Sequence, residues 1–158
     1  MFEVYRVLHI VGAAMFFGSV LAHVTAGLIP GAGDNPAIML AARQAIALAN
    51  WYVTIPGLIL AVASGAVMAA NAGYLKRRRL AMHIAAAAAI ALIAAIVLIP
   101  AALELQAAAK AVGAGTMTTE AFASAGARER LFGAVTIGLA LAAIALGATL
   151  PGLRKGAS

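Results

Sequence analysis

The chain has 158 residues, of which 65% are hydrophobic and 10% charged, and its mean hydropathy is +1.02. A soluble domain is about 45–50% apolar and about 25% charged, so soluble enzymes, nucleic-acid readers and disulfide scaffolds are excluded together. There is no cysteine, which removes iron–sulfur clusters, thiolate zinc sites and covalently attached haem. The net charge of +6 comes from basic residues that flank apolar runs, where they act as topology signals rather than as a nucleic-acid surface.

Four apolar spans follow in chain order, each close to the roughly 20 residues a helix needs to cross a bilayer. The first covers about 7–29 and stops at Pro30 and Gly31. It is too long for a signal-peptide core and three more spans follow, so a retained helix is expected. The second covers about 51–71, with Pro56 inside it; the proline removes one backbone bond and should bend the helix. The third covers about 80–102 and the fourth about 131–150, with Pro100 and Pro151 placed where those helices should stop. Asp34-Asn35-Pro36 is a helix start, and the helical pattern then continues into the second span. Residues 113–126 form a Gly/Thr/Ala/Ser-rich connector in which Thr118 or Thr119 begins a short helix. The expected fold is an all-α, transmembrane four-helix bundle in a single domain, 1–158.

Charge sets the expected orientation. Arg6, Lys76, Arg77, Arg78, Arg79, Arg154 and Lys155 fall on one side of the membrane; Arg43, Lys110, Arg128 and Arg130 fall on the other. Basic residues favour the cytoplasm, so both termini are expected inside, in a bacterial inner membrane. Small residues give the second span the face Gly57, Ala61, Ser64, Gly65 and Met68. The fourth has Gly133, Thr136, Ala140, Ala143 and Gly147. Such stripes predict close helix packing or a contact with a partner subunit.

Ionisable side chains inside a bilayer are functional candidates by default, and here they are His9, His23 and His83. His9 lies three residues beyond Arg6, and His83 four beyond Arg79, so the two imidazoles sit at nearly equal depth. Two histidines at one depth on different helices are what axial ligation of haem b requires. One turn inward are Gly12 and Ala13 on the first helix and Ala86 and Ala87 on the third, too small to block a flat porphyrin. One turn outward, Arg6 and Arg79 are placed to pair with haem propionates. The alternative is that both arginines only mark topology while both histidines bond to nearby backbone carbonyls.

His23 follows His9 by 14 residues, about 21 Å along the helix and on a similar face. It is a second-choice ligand, a proton relay, part of a quinone or porphyrin pocket with Trp51 and Tyr52, or a packing histidine. Met15, Met68 and Met82 raise copper, but they form no dense cluster. Glu104 is expected to form an interfacial ion pair with Arg128 or Arg130.

Leu8-His9-Ile10-Val11-Gly12 with Phe17-Gly18, Asn50-Trp51, Ile55-Pro56-Gly57 and Ser64-Gly65 resemble a bacterial four-helix integral-membrane family without an assigned activity. The Leu-His pair and the Phe-Gly after it are more distantly similar to HemJ-type protoporphyrinogen oxidase and to CopD-like copper proteins. The HemJ likeness implies haem b on the first-helix histidine, which is His9 here, and a role for a lysine near the third helix, where this chain has Lys76. Val20-Leu21-Ala22-His23 lacks the proline and arginine of that pattern.

The leading expectation is therefore a haem b-binding membrane redox protein that exchanges electrons with a quinone or porphyrin. The alternatives are a non-catalytic accessory subunit of a larger membrane complex or homo-oligomer, and a metal or small-solute transporter, which the sparse polar groups disfavour.

Overall fold

The structure, a computed structural model, describes residues 2–71 and 78–148, and the described residues contain helices and no strands. The helices are α1 (Phe2–Gly27), α2 (Pro36–Ala49), α3 (Ile55–Asn71), α4 (Arg78–Ile93), α5 (Ile99–Gly113), α6 (Thr119–Ala125) and α7 (Ala127–Ala148). Single π-helical turns, Asn50–Thr54 and Ala94–Leu98, join α2 to α3 and α4 to α5. Four apolar rods result, 2–27, 36–70, 78–113 and 119–148, each long enough to cross a membrane. Lys76, Arg77, Pro151, Arg154 and Lys155 lie outside the described residues.

The two π-turns have a common cause. Each ends two residues before a proline, Pro56 or Pro100, whose ring cannot sit against the carbonyl of the preceding α-helical turn. The backbone inserts one residue instead: Ile55 N–H bonds to Asn50 O, and Ile99 N–H bonds to Ala94 O. Pro100 was expected to end the third span; the widened turn absorbs it, and the helix runs on to Gly113.

The starts and turns follow local chemistry. Asn35 Oδ1 accepts from Ala37 N–H at 3.0 Å and Ile38 N–H at 3.3 Å, capping α2 behind Pro36. Thr118 Oγ1 accepts from Ala121 N–H at 3.2 Å and starts α6. Gly31 and Gly115 take φ of +86° and +71°, which a side chain would strain.

At 35 and 36 residues, the second and third rods are about 52–54 Å long, well beyond a hydrocarbon core of about 30 Å. Their excess, α2 and α5, lies at the end away from the 71–78 connection, where the two pack together. Met39, Leu105, Ala108, Ala109, Val112 and Phe122 of α6 form a small core there. Arg43 Nη1 donates to Glu129 Oε2 at 2.5 Å and its guanidinium lies 5.5 Å from the Phe122 ring centroid, tying α2, α6 and α7 into one cap. Arg128 reaches Glu104 at 3.4 Å on the surface, the ion pair anticipated for Glu104.

Within the membrane the rods associate as two close pairs, α1 with α3 and α4 with α7. In the first pair the backbones touch. A Cβ on Gly12 would lie 2.5 Å from Ala61 N and 2.7 Å from Gly57 O, and one on Gly57 would lie 2.8 Å from Phe16 N. Gly57, Ala61 and Gly65, spaced four apart, are thus the face that receives α1. On α7 the expected stripe is only partly used: Thr136, Ala140 and Ala143 are buried, whereas Gly133 faces open space.

Candidate functional site

The two pairs meet where α1 approaches α7, and α4 joins that contact through its side chains. Phe16 and Val20 of α1, Ile90 of α4 and Ala140 of α7 form the buried cluster that closes the space between the pairs. Phe16 is seven residues beyond His9, and Ile90 seven beyond His83, so this floor lies about 10 Å deeper than the two imidazoles.

His9 and His83 face one another above that floor, with ring centroids 6.0 Å apart and planes inclined by 59°. Each ring is held by a carbonyl of the partner helix. His9 Nδ1 bonds to Ala61 O at 2.7 Å, and His83 Nδ1 bonds to Ala143 O at 2.9 Å. A carbonyl only accepts, so Nδ1 carries a proton in both rings, and Nε2 is the nitrogen that the carbonyls leave unengaged. A glycine sits one turn beyond each accepting residue. Gly65 would bring a Cβ to 3.0 Å from His9 Cε1, and Gly147 would bring one to 3.4 Å from His83 Cε1.

The carbonyl bonds named as the alternative to haem ligation are thus present, but they run between helices. They are also the bonds that a metal-ligating histidine makes with its second nitrogen. Among the described residues no three His, Asp or Glu side chains converge, so the donor set is a pair of imidazoles. That set suits a cofactor that brings its remaining ligands with it, as a porphyrin does. A metal bound by both imidazoles would be held by α1 and α4 together.

The neighbouring residues divide. Ala13, Ala86 and Ala87 are half-buried alanines one turn deeper than the histidines. Gly12 is buried and taken up by the contact with α3. Arg6 forms an ion pair with Glu3 at 2.9 Å, and Arg79 is exposed.

The expected grouping of His23 with Trp51 and Tyr52 is not what the structure brings together. Trp51 is 58% exposed and Tyr52 74%, both on the outer surface of the bundle. The π-turn explains this, because its extra residue shifts the register so that Thr54, not Trp51 or Tyr52, faces α1. Thr54 Oγ1 lies 2.6 Å from Ser19 Oγ, which lies 3.4 Å from His23 Nε2. Sequence reasoning missed Ser19 and Thr54; the Thr two residues before Pro56 was the available signal. Thr136 Oγ1 is fully buried and has no hydrogen-bond partner among the described residues.

These features define an all-helical integral membrane protein with four spans and a histidine pair between its helix pairs. The chain belongs to the DUF2269 family of predicted integral membrane proteins, whose family model matches residues 3–151. No curated protein and no solved structure matches it. None of these comparisons shows the HemJ-type or CopD-like resemblance.

Proposed function

We propose that the protein is a membrane redox protein that binds one haem b between His9 and His83. The observation that carries this reading is the imidazole pair. Its rings have centroids 6.0 Å apart, and both Nδ1 atoms are bonded to carbonyls, which leaves Nε2 as the nitrogen each ring would offer to iron. The bound haem would supply one-electron chemistry. The chain fixes both ring tautomers, offers small residues beside the rings and excludes water from below with Phe16 and Ile90. Arg79, and Arg6 in competition with Glu3, would meet the propionates at the membrane surface. By charge bias this end faces the cytoplasm of a bacterial inner membrane, with both chain termini inside. A quinone or a porphyrin is the electron partner in this reading, and the protein is a membrane oxidoreductase or an electron-transfer component of one.

The test is a reduced-minus-oxidised visible spectrum of the purified full-length chain, prepared with haem available. A six-coordinate b-type spectrum is expected, and His9→Ala or His83→Ala should convert it to a five-coordinate or haem-free one. Arg6→Ala and Arg79→Ala should act more mildly, since a propionate at the interface stays hydrated. A colourless parent, or a spectrum that survives loss of both histidines, overturns the assignment. A colourless parent lost from membranes when a larger complex is deleted would make the protein an accessory subunit.

A further inference from the structure

The two helix pairs align with each other residue by residue. With His9 laid on His83, α1 matches α4 at Ile10 and Ile84, Ala13 and Ala87, and Ala14 and Ala88. Phe16 then falls on Ile90 and Val20 on Ala94, all four buried, while exposed Ala14 and Gly18 fall on exposed Ala88 and Leu92. With Ala61 laid on Ala143, Thr54-Ile55 falls on Thr136-Ile137, Ala63 on Ala145 and Gly65-Ala66 on Gly147-Ala148. Contacts tie the two alignments together, because His9 bonds to Ala61 O as His83 bonds to Ala143 O. The first pair is repeated in the second.

Equivalent residues of the two pairs also meet each other. His9 faces His83, and Phe16 packs in one cluster with Ile90, as Leu58 does with Ala140. A surface that meets its own equivalent is the mark of a two-fold axis. The first and third of four successive spans run the same way, so this axis lies along the membrane normal. It is approximate, since α1 meets α7 more closely than α4 meets α3. The repeat also accounts for the stranded hydroxyl of Thr136. Its equivalent, Thr54, lies 2.6 Å from Ser19 Oγ, and the residue in the place of Ser19 on α4 is Ile93, which offers no polar atom.

We propose that the His9–His83 site lies on this axis and therefore accepts haem b with either face towards α1. The proposal rests on the haem reading and adds to it how the group sits. A porphyrin ligated by two axis-related residues contains the axis in its plane. Haem b has a near two-fold axis of its own, which runs between its propionates and is broken only by the order of its methyl and vinyl groups. Half a turn about that line exchanges the faces while the iron, the propionates and both ligands stay in place. Each face meets the same kind of wall, a histidine with Ala13 and Gly65 or with Ala87 and Gly147.

Proton NMR of the oxidised full-length protein, equilibrated in detergent with excess haem b, tests this. Two sets of haem-methyl resonances are expected, in a ratio within about tenfold. A haem with methyls in place of both vinyls is two-fold symmetric and should give one set. A single set from haem b at equilibrium, or two sets from the symmetric haem, overturns the proposal. The axis has a second readout that needs no haem. Ile93→Ser should supply Thr136 with the hydroxyl that Ser19 offers Thr54. Comparing Ile93→Ser with Ile93→Ala, each with and without Thr136→Val, should show the two hydroxyls coupled by about fivefold in the unfolding constant. No coupling overturns the axis. A colourless protein with that coupling removes the haem and leaves the histidines on their axis. A coloured protein with one haem orientation keeps the haem and takes the site off the axis.

Discussion

Gly12 is where the α1–α3 contact is least forgiving, and replacing it with alanine gives a direct measure of that contact. A methyl group there would lie 2.5 Å from Ala61 N, 2.7 Å from Gly57 O and 3.1 Å from Ala61 Cα. All three are backbone atoms, so no rotamer change relieves the overlap and the helices must separate by several tenths of an ångström or more. Overpacking of this kind costs about 1–3 kcal/mol. The same shift pulls Ala61 O away from His9 Nδ1, a 2.7 Å bond one turn from Gly12, and forfeits about 1 kcal/mol more. The sum is about 2–4 kcal/mol, or roughly 5–15 °C in Tm for a chain of this size. Gly18→Ala on the same helix is the control, because a Cβ there meets nothing within 4 Å. Thermal unfolding in detergent followed by helical circular dichroism reads the stability, and imidazole nitrogen NMR shifts read the His9 bond. If Gly12→Ala and Gly18→Ala unfold together with His9 unchanged, α1 and α3 do not touch as described.

Two further outcomes are expected. Arg43→Ala should destabilise the protein by about 1–3 kcal/mol, because it leaves Glu129, only 21% exposed, without its cation. Arg43→Met with Glu129→Leu should recover most of that loss, which a double-mutant cycle of unfolding free energies would check. For orientation, Phe2→Cys and Gly113→Cys, both at exposed positions, should label from opposite faces of intact cells, with Gly113→Cys reacting from outside. Outside labelling of Phe2→Cys would invert the bundle.

Much of the fold could be read from the sequence because a bilayer leaves few choices. Apolar runs of the right length must be helices, and their number needs no tertiary knowledge. Asn35 and Thr118 were readable as caps for the same local reason. Pro100 was not, because proline stops a helix only where the chain cannot insert a residue, and the π-turn at Ala94–Leu98 does so. The depth of His9 and His83 was countable from Arg6 and Arg79. Which carbonyls hold the rings was not, since that depends on the pairing of α1 with α3 and of α4 with α7. The Arg43–Glu129 pair escaped for a similar reason: it joins residues 86 apart through a cap that exists only because two helices overrun the membrane.

The two helix pairs repeat one device with different tolerances. In each, a histidine near the start of one helix bonds to a carbonyl of the partner helix, and a glycine four residues beyond that carbonyl stands over the ring. The clearances differ. A methyl at Gly65 would be 3.0 Å from His9 Cε1 and 3.1 Å from Nδ1, tighter than ordinary van der Waals contact, whereas one at Gly147 would be 3.4 and 3.6 Å from the same atoms of His83. Gly65→Ala must therefore push the His9 ring by a few tenths of an ångström, while Gly147→Ala only touches His83. An imidazole locked by a 2.7 Å bond cannot yield without tilting, so Gly65→Ala should shift the His9 nitrogen resonances. Its cost should be about 1 kcal/mol, and Gly147→Ala should be neutral. Leucine at either position should dislodge its ring, because no rotamer of that size avoids the imidazole. Equal tolerance of alanine at both glycines would mean that the His9 ring is not held against α3, and the 6.0 Å spacing of the imidazoles would lose its fixed side.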